Sequence, residues 1–157
     1  MYLVINSETR ENLTSKTFPD LASAEAYSST VHPENLPTLL EIDHDHAAIL
    51  VACGVEVTEE NLETIDSAEV GNDFSVELDG MEFRLISDDS IERIHADEIQ
   101  EYVDDCILND CPETLQRYFD YDSFIRDCRI GDGYGHHFSS YDGSEVNAAS
   151  YYIFRIR

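Results

Sequence analysis

Phe74-Ser-Val-Glu-Leu-Asp79-Gly80-Met-Glu-Phe-Arg-Leu-Ile86 carries the clearest structural signal in this chain. Apolar side chains alternate with polar ones on both sides of Asp79-Gly80, at positions 74, 76, 78, 81, 83 and 85. An Asp-Gly pair between two alternating runs is typical of a two-residue turn with positive φ angles. The stretch therefore predicts a β-hairpin with one buried face.

The segments around the hairpin alternate between strand and helix patterns. They predict strands at 2–5 and 151–156 and helices at 21–28, 58–66 and 87–108. The short apolar run Ala47–Val51 fits either a buried strand or a buried helical turn, and Asp120-Tyr-Asp122 separates two short helices. Together these elements predict an α+β fold made of small lobes, with short strands, hairpins and acidic amphipathic helices. The expected divisions are an N-terminal α+β lobe at 1–70, the hairpin with a long acidic helix at 71–110, and a C-terminal lobe at 111–157.

The charge of the chain is far from balanced. Its 157 residues include 34 Asp and Glu against 9 Lys and Arg, a net charge of −25. Such a chain repels phosphates, which excludes nucleic-acid binding through a basic patch and adsorption to an anionic membrane. Residues 17–83 contain 16 acids and no Lys or Arg. We expect a fold that accepts this self-repulsion to meet a positively charged partner.

Other global features indicate a soluble, cytoplasmic protein without cofactors. No run of 18 apolar residues is present, and the first residues lack the basic region and long apolar stretch of a signal peptide. The four cysteines form no CxxC pair and no disulfide framework, which favours reduced thiols.

The acids of the long predicted helix form a regular row. Asp97, Glu101 and Asp104 follow i, i+4, i+7 spacing, so neighbours are separated by about 5–6 Å along the axis, comparable to successive phosphates. The opposite side of the same helix is predicted to be an apolar stripe that includes His95, Tyr102 and Cys106. To imitate a duplex, the acids would have to gather on one stripe. The candidate phosphate-mimicking residues are Glu59, Glu60, Glu63, Asp66, Glu77, Asp79, Glu82, Asp97, Glu98, Glu101, Asp104 and Asp105.

The segment Leu115–Cys128 resembles the ArdA antirestriction family. Members typically carry Tyr-[Phe/Ile/Leu]-Asp-Tyr-[Glu/Asp] followed by Ala-Arg-Asp-[Leu/Cys], and residues 118–122 and 126–128 match these two parts. Ile125 departs from the pattern, since the family has a small residue there. The resemblance covers residues 108–157.

This resemblance implies a DNA mimic that occupies the DNA-binding groove of a bacterial Type I restriction–modification enzyme. Family members are small, very acidic proteins of phages and mobile elements, which act in the host cytoplasm and often form elongated dimers. A homodimer is therefore one expectation. Because apolar residues outnumber charges in the matching motif, it is assigned to scaffold or dimer contacts, through Tyr118, Phe119, Asp120, Tyr121, Phe124 and Arg126.

Several chemical alternatives are weaker. The ligand-type residues at positions 41 and 43–46 would point alternately to two sides of an extended segment, which favours a solvated acidic turn over a metal site. Cys53 with His46, or Cys106 with His95, lacks a third group that would position a nucleophile and its base. Gly131, Gly133 and Gly135 lack the lysine of a phosphate-binding loop and predict a turn. We therefore expect that the protein is not an enzyme.

Two broader alternatives share the charge argument. An acid-rich chain with one lysine also fits a protein adapted to high salt, although such proteins disperse their acids over the surface. The partner could also be another basic assembly, such as an RNA-guided nuclease or a histone-like protein. A restriction–modification enzyme and such an assembly differ only in which positively charged surface the acids meet.

Overall fold

A computed structural model describes residues 1–157 and confirms the α+β fold, with 45% of residues in helices and 21% in strands. A 3₁₀ turn at Pro33–Asn35 and a π-helical turn at Val103–Ile107 supplement the six α-helices. In chain order the elements are β1 Tyr2–Asn6, α1 Leu21–Ser28, β2 Pro37–Glu41, α2 His44–Cys53, α3 Glu59–Ala68, β3 Asp73–Leu78, β4 Met81–Ser87, α4 Ile91–Tyr102, α5 Glu113–Gln116, α6 Tyr121–Phe138, β5 Val146–Ala148 and β6 Tyr151–Arg155.

The predicted hairpin forms one side of a four-stranded antiparallel sheet with the order β3-β4-β6-β5. Its turn residues Asp79 and Gly80 have φ angles of 51° and 75°, which is the positive-φ turn that the Asp-Gly pair predicts. The C-terminal strand β6 pairs with β4, so β3 remains an edge strand. Strands β1 and β2 form a separate two-stranded antiparallel sheet.

Both faces of the larger sheet are covered by other elements. Successive side chains of each strand point to opposite faces, so one strand contributes to both. Phe83, Leu85 and Ile153 join a core of 16 buried residues that includes side chains of α2, α3 and β1. Ile86 and Phe154 face the other way and pack with residues of α4 and α6. Helices α3 and α4 therefore lie on opposite faces of the sheet.

A third, smaller cluster fixes the end of α4 to the C-terminal helices. Its buried members are Ile99, Val103 and Leu108, and half-buried side chains from α6 and the segment before it surround them. These contacts place the start of α6 beside the π-helical turn. Helix α5 is held there by Gln116, whose Nε2 donates to the Leu108 carbonyl at 3.1 Å.

Three helices begin at a capping side chain. Asp20, Thr58 and Asp120 cap α1, α3 and α6, and each side chain accepts a hydrogen bond from the backbone N–H three residues later. The predicted helices at 21–28 and 58–66 and the strands at 2–5 and 151–156 match the observed elements, with small differences at their ends.

The prediction of one helix over 87–108 is wrong in two respects. Ser87 belongs to β4, and the α-helix gives way at Val103 to a π-helical turn in which Leu108 N–H donates to the Val103 carbonyl. The wider turn shifts the phase of the side chains. Within this turn Cys106 is exposed, although it was predicted on the apolar stripe. Tyr102, also predicted there, lies in α4 before the turn and is exposed as well, while Val103 is buried.

Two further segments differ from expectation. Residues 44–46 form the first turn of α2, so they are not extended, and Ala47–Val51 is helical. Gly131–Gly135 is not a connecting turn but lies within α6, which bends at Gly133, where φ is 71° and ψ is 178°. No helix has both the length and the apolar composition that crossing a membrane requires.

Candidate functional site: two acidic patches

The larger acidic surface surrounds helix α3. Leu62 and Ile65 point into the core, so the acids of the same helix point to solvent. Acids in the first turn are stabilised by the partial positive charge of the helix N-terminus. Residues from the preceding loops complete the surface, which we name the α3 patch: Glu11, Glu41, Asp43, Glu56, Glu59, Glu60, Glu63 and Asp66.

The α3 patch contains two adjoining grooves. The first has a volume of about 760 Å³ and no apolar lining residue, and it is bordered by Glu11, Glu56, Glu60 and Glu63 among others. The second, of about 230 Å³, shares Glu63 and adds acids from β2 and the start of α2. The sequence did not single out Glu11, Glu41, Asp43 and Glu56 for this surface, although three of these four lie in its cation-free window.

One arginine enters the α3 patch. Arg10 Nε donates to Glu59 Oε2 at 2.6 Å, and its Nη2 binds the other carboxylate oxygen. This bond raises the pKa of Arg10 and lowers the pKa of Glu59. The loop is held there by Asn12, whose Nδ2 donates to the Val57 carbonyl at 2.7 Å. Seven of the eight acids therefore have no arginine or lysine within 4.0 Å.

Residues 43–46 form the N-cap and the first turn of α2. Asp43 Oδ1 accepts the backbone N–H groups of Asp45 and His46 at 2.8 and 3.0 Å, which lowers the pKa of Asp43. His46 Nε2 lies 2.9 Å from Glu69 Oε2, and Tyr151 donates to the other oxygen of Glu69 at 2.7 Å. No three His, Cys, Asp or Glu side chains are grouped so that they could hold a metal ion.

The predicted row on α4 comes together. Asp97, Glu101, Asp104 and Asp105 border one depression of about 420 Å³ without apolar residues, and we name these four acids the α4 patch. Two of them have partners: Arg93 lies 3.2 Å from Asp97 in a pair that is two-thirds exposed, and the Tyr121 hydroxyl donates to Asp104. The bond to Asp104 raises the pKa of Tyr121.

Glu98 does not belong to this row. Its carboxylate turns toward the sheet, where Oε1 lies 2.7 Å from Arg84 Nη2 and Oε2 lies 3.0 Å from His137 Nε2. Arg84 also binds Asp73 through two nitrogens. Glu98, predicted as a phosphate-mimicking residue, is thus half-buried and paired with Arg84 and His137.

The hairpin acids are only partly free. Arg157 lies 3.2 Å from Glu77 and 3.8 Å from Glu82. Asp79 is exposed at the turn and has no cationic partner. Arg157 therefore neutralises part of the negative charge of the hairpin.

The two patches lie on opposite faces of the larger sheet, since α3 packs on one face and α4 on the other. Strand β3 lies between them, because it packs against α3 and its Asp73 reaches α4 through Arg84. Eight of the twelve candidate acids therefore lie on two separate patches, four on each, and not on the single stripe that imitation of a duplex would require.

The residues of the scaffold motif have structural contacts. The Phe119 ring lies 5.0 Å from Tyr121 and 5.5 Å from Phe124, and Asp120 caps α6. Tyr118 is 72% exposed, with only the Arg117 guanidinium stacked 4.9 Å from its ring. The sixth residue, Arg126, is exposed and pairs with its neighbour Asp127.

Arginines neutralise a minority of the acids. Of the 34 acids, 8 have an arginine within 4.0 Å, which leaves 26 without one. The paired acids are Glu59, Asp73, Glu77, Glu82, Glu92, Asp97, Glu98 and Asp127. Lys16, Arg117 and Arg155 form no ion pair, and the two arginines stack on the rings of Tyr118 and Tyr141. Most of the negative charge therefore has no cation beside it within the protein.

Comparison of the chain with protein-family models, with curated proteins and with solved structures finds no match.

Proposed function

We propose that this protein is an acidic DNA mimic that occupies the DNA-binding groove of a bacterial defence enzyme, with a Type I restriction–modification enzyme as the first candidate. The observation that carries the proposal is the α3 patch, in which eight acids border grooves without lysine and with a single arginine. The resemblance of residues 108–157 to the ArdA family supports the choice of enzyme.

The acidic side chains can resemble DNA only where they are clustered. The accessible surface of 9368 Å² and the net charge of −25 correspond to about 375 Å² per charge, against roughly 100 Å² on duplex DNA. An even distribution would thus be too dilute to resemble DNA. On α3, Glu60, Glu63 and Asp66, which pair with no arginine or lysine, follow one another at about 4.5 Å along the axis.

A row of fixed carboxylates can replace phosphates without presenting bases. The lysines and arginines of a DNA-binding groove release counterions when they meet either kind of anion. Binding is then fast and weakens as salt increases. We expect the α3 patch to contribute more than the α4 patch, because one of the four α4 acids already pairs with Arg93 and another accepts a hydrogen bond from Tyr121.

A competition assay tests the proposal. The protein is titrated against labelled duplex bound to a Type I restriction–modification core enzyme, at low and at physiological salt. We expect displacement near stoichiometry that weakens at the higher salt. Absence of displacement at both salt concentrations would refute this target, and binding to another basic protein instead would reassign the partner.

Matched charge variants locate the contact surface. E60Q/E63Q/D66N removes three charges from the α3 patch, and D97N/E101Q/D104N removes three from the α4 patch. The control E25Q/E34Q/E113Q removes three exposed charges elsewhere. We expect the α3 variant to lose roughly tenfold or more in affinity and to reduce the salt dependence, because each lost phosphate-like contact lowers the salt slope by about one. An equal loss in the control would show that net charge alone matters.

A further inference from the structure

The contact between α4 and α6 contains a buried imidazole with no hydrogen-bonding partner in the protein. His95 is 2% exposed, and its ring packs against aromatic rings of α6, with centroid distances of 5.1 Å to His137, 5.2 Å to Tyr134 and 6.0 Å to Phe138. Histidine is the side chain whose charge changes most readily near neutral pH.

The part of α6 that covers His95 follows a bend. Gly133 has a φ of 71°, and residues 134–138 after it supply all three rings that touch His95. A cavity of about 360 Å³ opens beside His95 at the same place and is also lined by Gly133. The covering segment therefore meets the rest of α6 at a natural hinge.

We propose that His95 is a proton-sensitive switch: an imidazolium at this position opens the contact between α4 and residues 133–138. The positive ring would be only 2% exposed and packed among aromatic rings, where a charge is poorly hydrated. Opening the contact at the hinge would bring water to the ring.

The charged and titratable groups around His95 set the direction of the effect. Burial lowers the pKa of His95, and His137 and Arg129 of α6 lower it further, whereas Glu98 of α4 opposes them. Glu98 is already occupied by Arg84 of β4 and by His137. The cavity also presents Tyr102 of α4 and, from α6, Cys128, Asp132 and His136.

The sign follows from proton linkage. Because the pKa of His95 is lower in the folded protein than in the unfolded chain, the unfolded chain binds more protons over the interval between the two values. The contribution of this contact to stability is complete above the ordinary histidine pKa and decreases as the pH falls below it. Movement of α4 would also displace the α4 patch. The effect of this displacement on partner binding rests on the proposed function.

The free protein provides the test, independently of any partner. Histidine ring signals are titrated by NMR from pH 8 to pH 5, and amide hydrogen exchange is measured over the same range with correction for intrinsic rates. We expect His95 to titrate below the ordinary histidine pKa, and protection of 91–102 and 133–138 to fall by roughly tenfold while that of α2 and α3 persists. Titration of His95 at or above the ordinary histidine pKa, or unchanged protection of both segments, would overturn the proposal.

Two variants assign the effect to one ring. His95→Leu removes the titrating group, and we expect it to abolish the pH-dependent loss of protection. His44→Leu, at an exposed position, should leave that loss unchanged. Persistence of the loss in folded His95→Leu would overturn the proposal; if this variant is unfolded, the NMR titration of the natural protein decides.

Discussion

Arg84 Nη2 lies 2.7 Å from Glu98 Oε1, which joins strand β4 to helix α4 across the second face of the sheet. The same guanidinium binds Asp73 and lies 4.9 Å from the centre of the Phe138 ring. Its side chain is 23% exposed, so these contacts are shielded from solvent. One arginine of β4 thus contacts three other elements, β3, α4 and α6.

Replacing Arg84 should destabilise the fold substantially. Arg84→Gln leaves two half-buried carboxylates without their cation, and we expect a loss of about 2–3 kcal/mol in urea unfolding. Arg93→Gln is the matched control, since it breaks a pair that is two-thirds exposed and should cost under about 0.5 kcal/mol. Equal losses in the two variants would contradict the structural role of Arg84.

The N-terminus of α3 depends on one hydroxyl. Thr58 Oγ1 accepts the backbone N–H of Asn61 at 3.1 Å. Thr58→Ala should destabilise the protein by about 1 kcal/mol, because an N–H at the helix start loses its partner. Thr58→Ser keeps the acceptor and should retain most of the stability. Thermal unfolding of the pair measures the difference, and identical values for both variants would exclude the capping role.

Two glycines of α6 should respond in opposite ways to alanine. A Cβ on Gly135 would lie 2.3 Å from the Gly143 carbonyl oxygen, so Gly135→Ala should cost about 1–3 kcal/mol. A Cβ on Gly131 meets nothing within 4 Å, and Gly131→Ala should be neutral or stabilise by up to about 1 kcal/mol. Urea unfolding compares them. A tolerated Gly135→Ala would mean that the 143–144 loop moves freely.

Low pH should weaken the hydrogen bonds that His46 and Tyr151 make to the Glu69 carboxylate. Hydrogen bonds from His46 and Tyr151 lower the pKa of Glu69. The folded protein therefore holds this carboxylate charged at pH values where the unfolded chain protonates it, so the stabilisation is present above the ordinary glutamate pKa and is lost as pH falls through the lower folded value. The stability difference between the natural protein and Glu69→Gln should shrink between pH 6 and pH 3. A constant difference would contradict the linkage.

The cysteines should differ sharply in reactivity. Burial raises the pKa of Cys53 to about 12, whereas Cys106 is exposed. Because the thiolate is the reactive form, we expect iodoacetamide at neutral pH to modify Cys106 first and Cys53 only after unfolding. Peptide mass spectrometry at successive times follows each site. Early modification of Cys53 in the folded protein would show that α2 opens readily.

Local patterns predicted much of the fold. The alternation around Asp79-Gly80 and the capping residues Thr58 and Asp120 act within a few positions of the chain, so their effects can be read directly. The π-helical turn could not be read in this way. It depends on Val103 and Leu108 packing together in the third cluster, a tertiary contact that overrides helical periodicity.

The candidate site was predicted less completely, because charge neutralisation is a long-range property. Arg10 reaches Glu59 across 49 positions, and His137 reaches Glu98 across 39. Helical spacing placed Asp97, Glu101 and Asp104 together correctly, since all three belong to one element or its immediate extension. It carried no information about which acids would acquire a partner.

The open edge of β3 has a consequence for how copies of the protein behave at high concentration. An unpaired strand is a template for aggregation, and natural proteins often protect it with charge. Here Glu77 and Asp79 are exposed along that edge. Edge-to-edge growth is therefore opposed at neutral pH, and acidification, which neutralises the carboxylates, removes this protection.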